Sequence, residues 1–180
     1  NSFKNNSSLS EVIFKTNNLI SIGSSAFEGC TSLTEITFHS SIQRIGYQAF
    51  HETTRLTIKG EIEHIPSKTF KDCSKLSKII FLTNKLTSIG SSAFEGCTFL
   101  TEITFPSSIQ QIGENAFQGI KTLNIKGYFE RFPDNSFKNC TSLTNVRISN
   151  NKLISIGSLS FEGCTSLSSI FLPESLQTVE

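Results

Sequence analysis

Apolar and polar residues alternate with a spacing of two in several short stretches of this chain. One example is Ile36 and Phe38, which are separated and flanked by Glu35, Thr37 and His39. Alternation of period two is typical of a β-strand that buries one of its faces. The pattern predicts strands centred on Val12, Ile36, Leu56, Ile79, Ile103, Leu123, Val146 and Ile170.

These stretches belong to a longer repeat. Residues 21–38 return as residues 88–105 with one change, Ser32 to Phe99, and return again in a more altered form as residues 155–172. The offset in the numbering is 67 each time, first to Ser88 and then to Ser155. Self-similarity at a fixed period indicates stacked units, each contacting only its neighbours.

Phenylalanines divide each 67-residue unit into three coils, because the intervals between them run 24, 23 and 20 in the numbering and then repeat. We call them the anchor phenylalanines: Phe3, Phe27, Phe50, Phe70, Phe94, Phe117, Phe137 and Phe161. We expect them to form one continuous buried spine. The whole chain, residues 1–180, is therefore predicted to be a single domain of about eight coils.

Each coil is predicted to continue from its strand through a turn such as Ile45-Gly46 into a short helical or 3₁₀ return around Ala49-Phe50. In the shortest coils, the segment between the anchor phenylalanine and the next strand is three residues shorter than in the other coils. Aligning the coils by their patterns places one outward residue per strand in a common row: Ile13, Thr37, Thr57, Ile80, Thr104, Asn124, Arg147 and Phe171.

The longest coils match the leucine-rich-repeat signature, including an asparagine after the strand. These asparagines are Asn17, Asn84 and Asn151. A buried side-chain amide can satisfy backbone groups that the turning chain leaves unpaired. The predicted fold is thus an α/β, right-handed leucine-rich-repeat solenoid of horseshoe shape, with a parallel sheet on its concave side and the helical segments on its convex side.

Residues 89–109 read Ile-Gly-x-x-Ala-Phe-x-x-Cys-x-x-Leu-x-x-Ile-x-Phe-Pro-x-Ser-Ile. This pattern resembles the BspA-like, Treponema pallidum type of leucine-rich repeat. The resemblance covers essentially the whole chain and implies a surface protein of a bacterium or of a protist such as Trichomonas or Entamoeba. It also implies attachment to host tissue or other microbes, a cell-surface or secreted location, and no catalytic residues.

The charge and hydropathy of the chain exclude some partners. Its formal net charge is +1, from 16 basic and 15 acidic residues. This balance gives no electrostatic reason to expect nucleic acid or an anionic membrane as partner. No apolar run approaches the roughly 18 residues that a membrane helix needs, so we expect no direct membrane insertion.

All five cysteines stand three residues after an anchor phenylalanine: Cys30, Cys73, Cys97, Cys140 and Cys164. An odd count at one repeated position does not indicate a disulfide framework. We expect free, buried thiols that fill the core, although Cys73 could approach Cys97 and Cys140 could approach Cys164.

Candidate catalytic and metal-binding groups are sparse. His39, His51 and His64 are scattered, and none has a nucleophile or metal-ligand spacing. We therefore expect no enzymatic activity, no cofactor and no metal. Sequons at Asn5, Asn6 and Asn139 permit glycosylation if the chain is exported; chance occurrence is the alternative.

Residue 1 lies inside a repeat, since residues 1–5 equal residues 135–139. The chain is therefore predicted to be a fragment of a longer array whose uncapped ends could associate end to end. Two functions fit such an array. One is a module that binds a host matrix or cell-surface protein, and the other is a structural spacer without a ligand of its own.

Residues at outward strand positions do not pack in the core, so unusual residue types there indicate a binding surface. Apolar Ile80 and Leu82 occupy outward positions of one predicted strand, and Thr104 and Pro106 occupy the same positions of the next. Exposed apolar groups often mark contact surfaces, although isoleucine also simply suits strands. The sequence predicts a shallow protein-binding site on the concave face, centred on these four residues, with Lys59 and Glu102 at its rim.

Overall fold

Sixteen short parallel strands stack into a solenoid in a computed structural model, which describes residues 2–15 and 18–180. Eight of them pair side by side into one continuous sheet, called here the main sheet. Its strands are β1 (Glu11–Ile13), β3 (Glu35–Phe38), β5 (Arg55–Gly60), β7 (Lys78–Leu82), β9 (Glu102–Phe105), β11 (Thr122–Gly127), β13 (Asn145–Ser149) and β15 (Ser169–Phe171).

The other eight strands have two residues each and follow the strands of the main sheet around each coil. They are β2 (Ser21–Ile22), β4 (Arg44–Ile45), β6 (His64–Ile65), β8 (Ser88–Ile89), β10 (Gln111–Ile112), β12 (Arg131–Phe132), β14 (Ser155–Ile156) and β16 (Thr178–Val179). They form three separate small sheets: β2 with β4, then β6, β8 and β10, and then β12, β14 and β16.

The predicted solenoid with a parallel sheet and a strand in every coil is confirmed, but the predicted helical returns are wrong. The described residues form no α-helix and no 3₁₀-helix. From Phe27 onward, the residues two before and two after each anchor phenylalanine have positive φ, as at Ser25 (54°) and Gly29 (75°). Left-handed residues at this spacing interrupt any right-handed helix, so the return segment is a series of turns.

Backbone hydrogen bonds of these turns run between coils. The N–H of Phe27 donates to the C=O of Ala49 at 2.8 Å, and the N–H of Phe94 donates to the C=O of Ala116 at 2.7 Å. The left-handed residues direct the amides along the solenoid axis, where the next coil supplies the acceptor. The turns are thereby stabilised by the neighbouring coil.

The main-sheet register differs from the expected row. Thr37 pairs with Lys59 rather than with Thr57, and Thr104 pairs with Lys126 rather than with Asn124. The chain of partners that starts at Val12 ends at Phe81, which is the repeat equivalent of Phe14 and not of Val12. The register therefore advances by two positions in each unit of the long repeat.

The predicted spine of anchor phenylalanines is confirmed. Consecutive anchor rings lie 5.0–5.5 Å apart, from Phe3 to Phe161. Phe3 at the start of the stack is 46% exposed, and Phe161 is half-buried. Isoleucines and leucines from the strands fill the rest of the core, which runs continuously through the coils.

The prediction of buried asparagines is wrong at two positions. Asn84 and Asn151 are exposed, and Asn17 lies outside the described residues. The neighbouring Asn150 is buried instead: its side-chain amide donates to the C=O of Phe129, and its oxygen accepts the N–H of Lys152 at 3.0 Å. The chain turns one residue earlier than the signature suggests.

All five cysteines are free, and four are buried, with Cys164 half-buried. Several thiols donate to a carbonyl of the preceding coil, as Cys97 does to Phe70 at 3.0 Å. Burial raises the pKa of Cys73 to about 12 and that of Cys97 well above its ordinary value. These thiols fill space in the core, as expected from their position.

Candidate functional site

Five of the six predicted site residues, all except Pro106, lie together on the solvent-facing side of the main sheet. Ile80 on β7 pairs with Thr104 on β9, and Lys59 on β5 pairs with Leu82 on β7. Alternate residues of these strands point into the core, so Ile79 and Phe81 are buried while their neighbours face outward. Strand alternation therefore creates one surface from residues of three coils.

Exposure differs within this set. Leu82 is 59% exposed, whereas Ile80 and Thr104 are half-buried. Pro106 is buried, so its expected place as an exposed outward residue is wrong. It follows the last residue of β9 and lies in the turn that leaves the sheet.

A shallow groove connects several of these residues at the carboxyl ends of the strands. It has a volume of about 630 Å³. Leu82, Thr104 and Pro106 line it together with Tyr128, which the sequence prediction did not include. Ile80, Lys59 and Glu102 do not line it.

Charged residues at the rim neutralise each other across the strands. Lys59 donates to Glu35 at 2.8 Å, and Lys126 donates to Glu102 at 2.7 Å. Glu102 also contacts Lys78 on its other side. Hydrogen bonds from Lys126 and Lys78 lower the pKa of Glu102, and the bond to Glu35 raises the pKa of Lys59. This part of the sheet therefore presents paired charges.

Tyr128 follows β11 directly and is 70% exposed. It also lines a second groove of about 940 Å³, on the side toward Pro173. A signal for it exists in the sequence, since the equivalent position one unit earlier holds Glu61. The sequence analysis compared only outward residues within the strands. It therefore did not include Tyr128, which comes after its strand.

Phe171 is another outward aromatic residue and lies on β15, the last strand of the main sheet. Arg147 on β13 is positioned over the ring of Phe171 on β15, with its guanidinium carbon 5.2 Å from the ring centroid. Cation–π contacts of this kind cover part of an exposed ring. Phe171 is still 55% exposed.

The structure places His64 near a hydroxyl, at 2.7 Å between its Nδ1 and the Oγ of Ser88. Burial lowers the pKa of His64. Catalysis would also need a group that orients the ring, and among residues 2–15 and 18–180 no second side chain hydrogen-bonds to His64. No cluster of three or more metal-ligating side chains occurs in residues 2–15 and 18–180. The same residues contain no helix that could span a membrane.

Parallel strands, one per coil of the main sheet, around a core of repeated leucine, isoleucine and phenylalanine define a leucine-rich-repeat solenoid. The family model of the BspA type leucine rich repeat region matches residues 1–124 and 63–180. The chain therefore belongs to the BspA-type leucine-rich-repeat family.

Two solved structures have a similar fold. A leucine-rich repeat protein from Bacteroides ovatus is 31% identical with a TM-score of 0.56, covering 93% of this chain and 46% of that one. The present chain thus spans about half of that relative's length. The T. pallidum leucine-rich repeat protein is 24% identical with a TM-score of 0.51, covering 88% of this chain and 78% of that one. No curated protein sequence matches the chain significantly.

Proposed function

We propose that this chain is a non-enzymatic protein-binding module of a cell-surface or secreted protein. Its partner, a host matrix or cell-surface protein, binds the solvent-facing side of the main sheet. Ile80, Leu82 and Thr104 form the centre of the contact, Lys59 and Glu102 lie at its rim, and buried Pro106 supports it from the adjoining turn. Membership of a family that includes surface proteins supports this location.

The observation that carries the proposal is a difference between two nearly identical units. Leu82 contributes exposed apolar surface to the groove and Pro106 lines its wall, whereas the equivalent residues one unit earlier are Lys15 and His39. A repeat that only maintained the fold would have no need of an exposed leucine here. Apolar groups with a rim of satisfied charges are typical of contact surfaces.

A structural spacer is the second candidate. The close identity of residues 21–38 and 88–105 favours it, because a spacer needs no unique surface. A spacer predicts that the folded chain binds none of the matrix or cell-surface proteins offered to it.

The test is a binding measurement by surface plasmon resonance against a panel of purified matrix and cell-surface proteins. The variant carrying Ile80→Asp and Leu82→Asp should lose binding at least tenfold, since it places two charges in an apolar contact. The matched control carries Ile13→Asp and Lys15→Asp, at the equivalent positions one unit earlier, and should bind like the unchanged chain.

Circular dichroism of both variants should match that of the unchanged chain, which separates lost contact from lost fold. Saturable binding that persists in the variant with Ile80→Asp and Leu82→Asp would show that the binding site lies elsewhere on the chain. Absence of binding by the folded chain to every protein of the panel would favour the spacer.

A further inference from the structure

Tyr128 separates two grooves at the carboxyl-end edge of the main sheet. Leu82 and Pro106 line the groove on one side of it, and Pro173 lines the groove on the other. Tyr128 is 70% exposed, compared with 59% for Leu82. A rigid aromatic side chain in this position offers a large contact area at a small cost in conformational entropy.

The repeat supplies an internal comparison for this surface. Positions 82, 106 and 128 hold leucine, proline and tyrosine, whereas one unit earlier the same positions hold Lys15, His39 and Glu61. Three polar residues have thus become three apolar or aromatic ones around one groove. The solenoid does not require the change, since β3 and β5 of the first unit have the same bounds as β9 and β11 one unit later, although β7 continues to Leu82 where β1 ends at Ile13.

Charge on the two grooves is balanced. Each is lined by one acidic and one basic side chain, Glu61 with Lys85 in the first and Glu174 with Lys126 in the second. Lys126 also pairs with Glu102, which contacts Lys78 on its other side, so these three side chains and Glu174 together carry no net charge. The surface therefore offers no excess charge to a partner, and an uncharged ligand fits it best.

The length of the surface limits the ligand as well. From Gly60 at the end of β5 to Pro173 after β15, the grooves cross five strand spacings. At about 4.8 Å per spacing this is roughly 24 Å. An extended polypeptide advances at most about 3.3–3.6 Å per residue, so roughly seven residues span it.

We propose that the two grooves bind an extended, uncharged polypeptide segment of about seven residues, with Tyr128 between two of its apolar side chains. The proposal rests on the proposed function and names the part of the partner that is recognised. The aliphatic surface of Leu82 favours an apolar peptide side chain over the hydroxyl groups of a sugar. Tyrosine is also frequent among residues that dominate binding energy.

The chain contains two tyrosines and no tryptophan, which permits a direct test. In a Tyr47→Phe background, tyrosine fluorescence reports on Tyr128 alone. The probes are synthetic seven-residue peptides of glycine, leucine, phenylalanine and proline, with matched peptides that carry aspartate or lysine at the centre. Uncharged oligosaccharides of similar length form a third group.

The uncharged peptides should change Tyr128 fluorescence saturably, and the charged ones should bind at least tenfold more weakly. With fluorescein-labelled peptides and polarisation as readout, Tyr128→Glu should weaken binding at least tenfold. This change installs the residue of the equivalent position 61. The matched control is Phe99→Ser, which removes an aromatic side chain 67% exposed elsewhere and restores the residue of position 32.

Equal affinity for charged peptides, binding of oligosaccharides alone, or full binding by Tyr128→Glu would overturn the inference. So would the absence of a fluorescence response in the otherwise unchanged chain, a result that does not depend on the folding of any charged variant. If matrix proteins bind and respond to Ile80→Asp with Leu82→Asp while no peptide binds, only this inference fails. If neither proteins nor peptides bind, the proposed function fails with it.

Discussion

Thr37 lies opposite Lys59 in the main sheet, two residues beyond the partner that the repeat pattern suggests. On the other side of the same coil, the anchor rings of Phe50 and Phe70 are tilted by 35°, whereas the stacked pairs on either side, Phe27–Phe50 and Phe70–Phe94, are tilted by 4° and 10°. Both differences occur at the coil that follows Phe50, where the interval to the next anchor is shortest. The short coil is therefore accommodated by a two-residue shift of the main-sheet register on one side and by a tilt between the anchor rings on the other.

The small sheets are also interrupted at the short coils. β4 does not pair with β6, and β10 does not pair with β12, although the main sheet continues past both junctions. Among residues 2–15 and 18–180, no backbone carbonyl accepts the N–H of Phe50 or Phe117. The backbone hydrogen bonds between turns therefore stop at both junctions, and at the first junction side chains link the turns instead, Tyr47 with Asp72 at 3.2 Å and Lys75 with Glu52.

Amide exchange should show these junctions. We expect the amides of Phe50 and Phe117 to exchange at least tenfold faster than those of Phe27 and Phe94, because only the latter two donate to a neighbouring coil. Hydrogen–deuterium exchange followed by NMR measures each amide. The four rings are equally buried, so burial is controlled. Equal protection at all four amides would show that the junctions are closed in solution.

The sequence could predict the repeat, the strands and the spine because each depends on local pattern. Ile36 and Phe38 alternate with polar residues, and burial follows from that alternation. The register between Thr37 and Lys59 could not be predicted in this way, because it depends on how a whole shortened coil packs against its neighbours. The missing helix has a similar cause, since left-handed Ser25 is stabilised by a bond to Tyr47 of the next coil.

The candidate site was predicted in part. Leu82 stood out because its equivalents in the other units, Lys15 and Ser149, are polar. Pro106 was placed on the exposed face because a strict period of two was extended past the end of β9, where the chain already turns. Tyr128 also lies beyond the end of its strand, β11. It becomes part of the surface only when neighbouring coils are placed side by side.

Phe94→Ala should destabilise the chain by about 3–5 kcal/mol, the usual cost of truncating a buried phenylalanine. The Phe94 ring is fully buried and stacks on Phe70 at 5.0 Å and on Phe117 at 5.4 Å. Urea unfolding followed by circular dichroism measures the difference. Phe99→Ser is the control and should change the free energy of unfolding by less than about 1 kcal/mol, as surface substitutions usually do. Similar effects of both changes would contradict the spine.

Thiol reactivity should distinguish one cysteine from the rest. Cys164 is half-buried, and a hydrogen bond from Cys140 lowers the pKa of Cys164. Burial raises the pKa of Cys30 and Cys73. Because the thiolate is the reactive form, Ellman's reagent at pH 8 should modify one thiol quickly in the native chain and all five in urea. Cys164→Ser should remove the fast phase, and a fast phase that persists would assign it to another cysteine.

The pairing of Glu102 with two lysines should make stability depend on pH. Hydrogen bonds from Lys126 and Lys78 lower the pKa of Glu102 in the folded chain. A carboxyl with a lowered pKa stabilises the fold above its unfolded pKa, about 4.3, and loses this contribution as the pH falls through the folded value. Glu102→Gln should therefore reduce the free energy of unfolding at pH 7, and the difference from the unchanged chain should shrink toward pH 3.

Urea unfolding at pH 7, 5, 4 and 3 measures this difference directly. Exposed Glu114 provides the control, and Glu114→Gln should give a smaller difference at pH 7. A difference for Glu102→Gln that stays constant from pH 7 to pH 3 would mean that the glutamate contributes through its packing between β7 and β11. A difference that grows in acid would contradict the ion pairs, because the sign of the pKa shift allows only a loss.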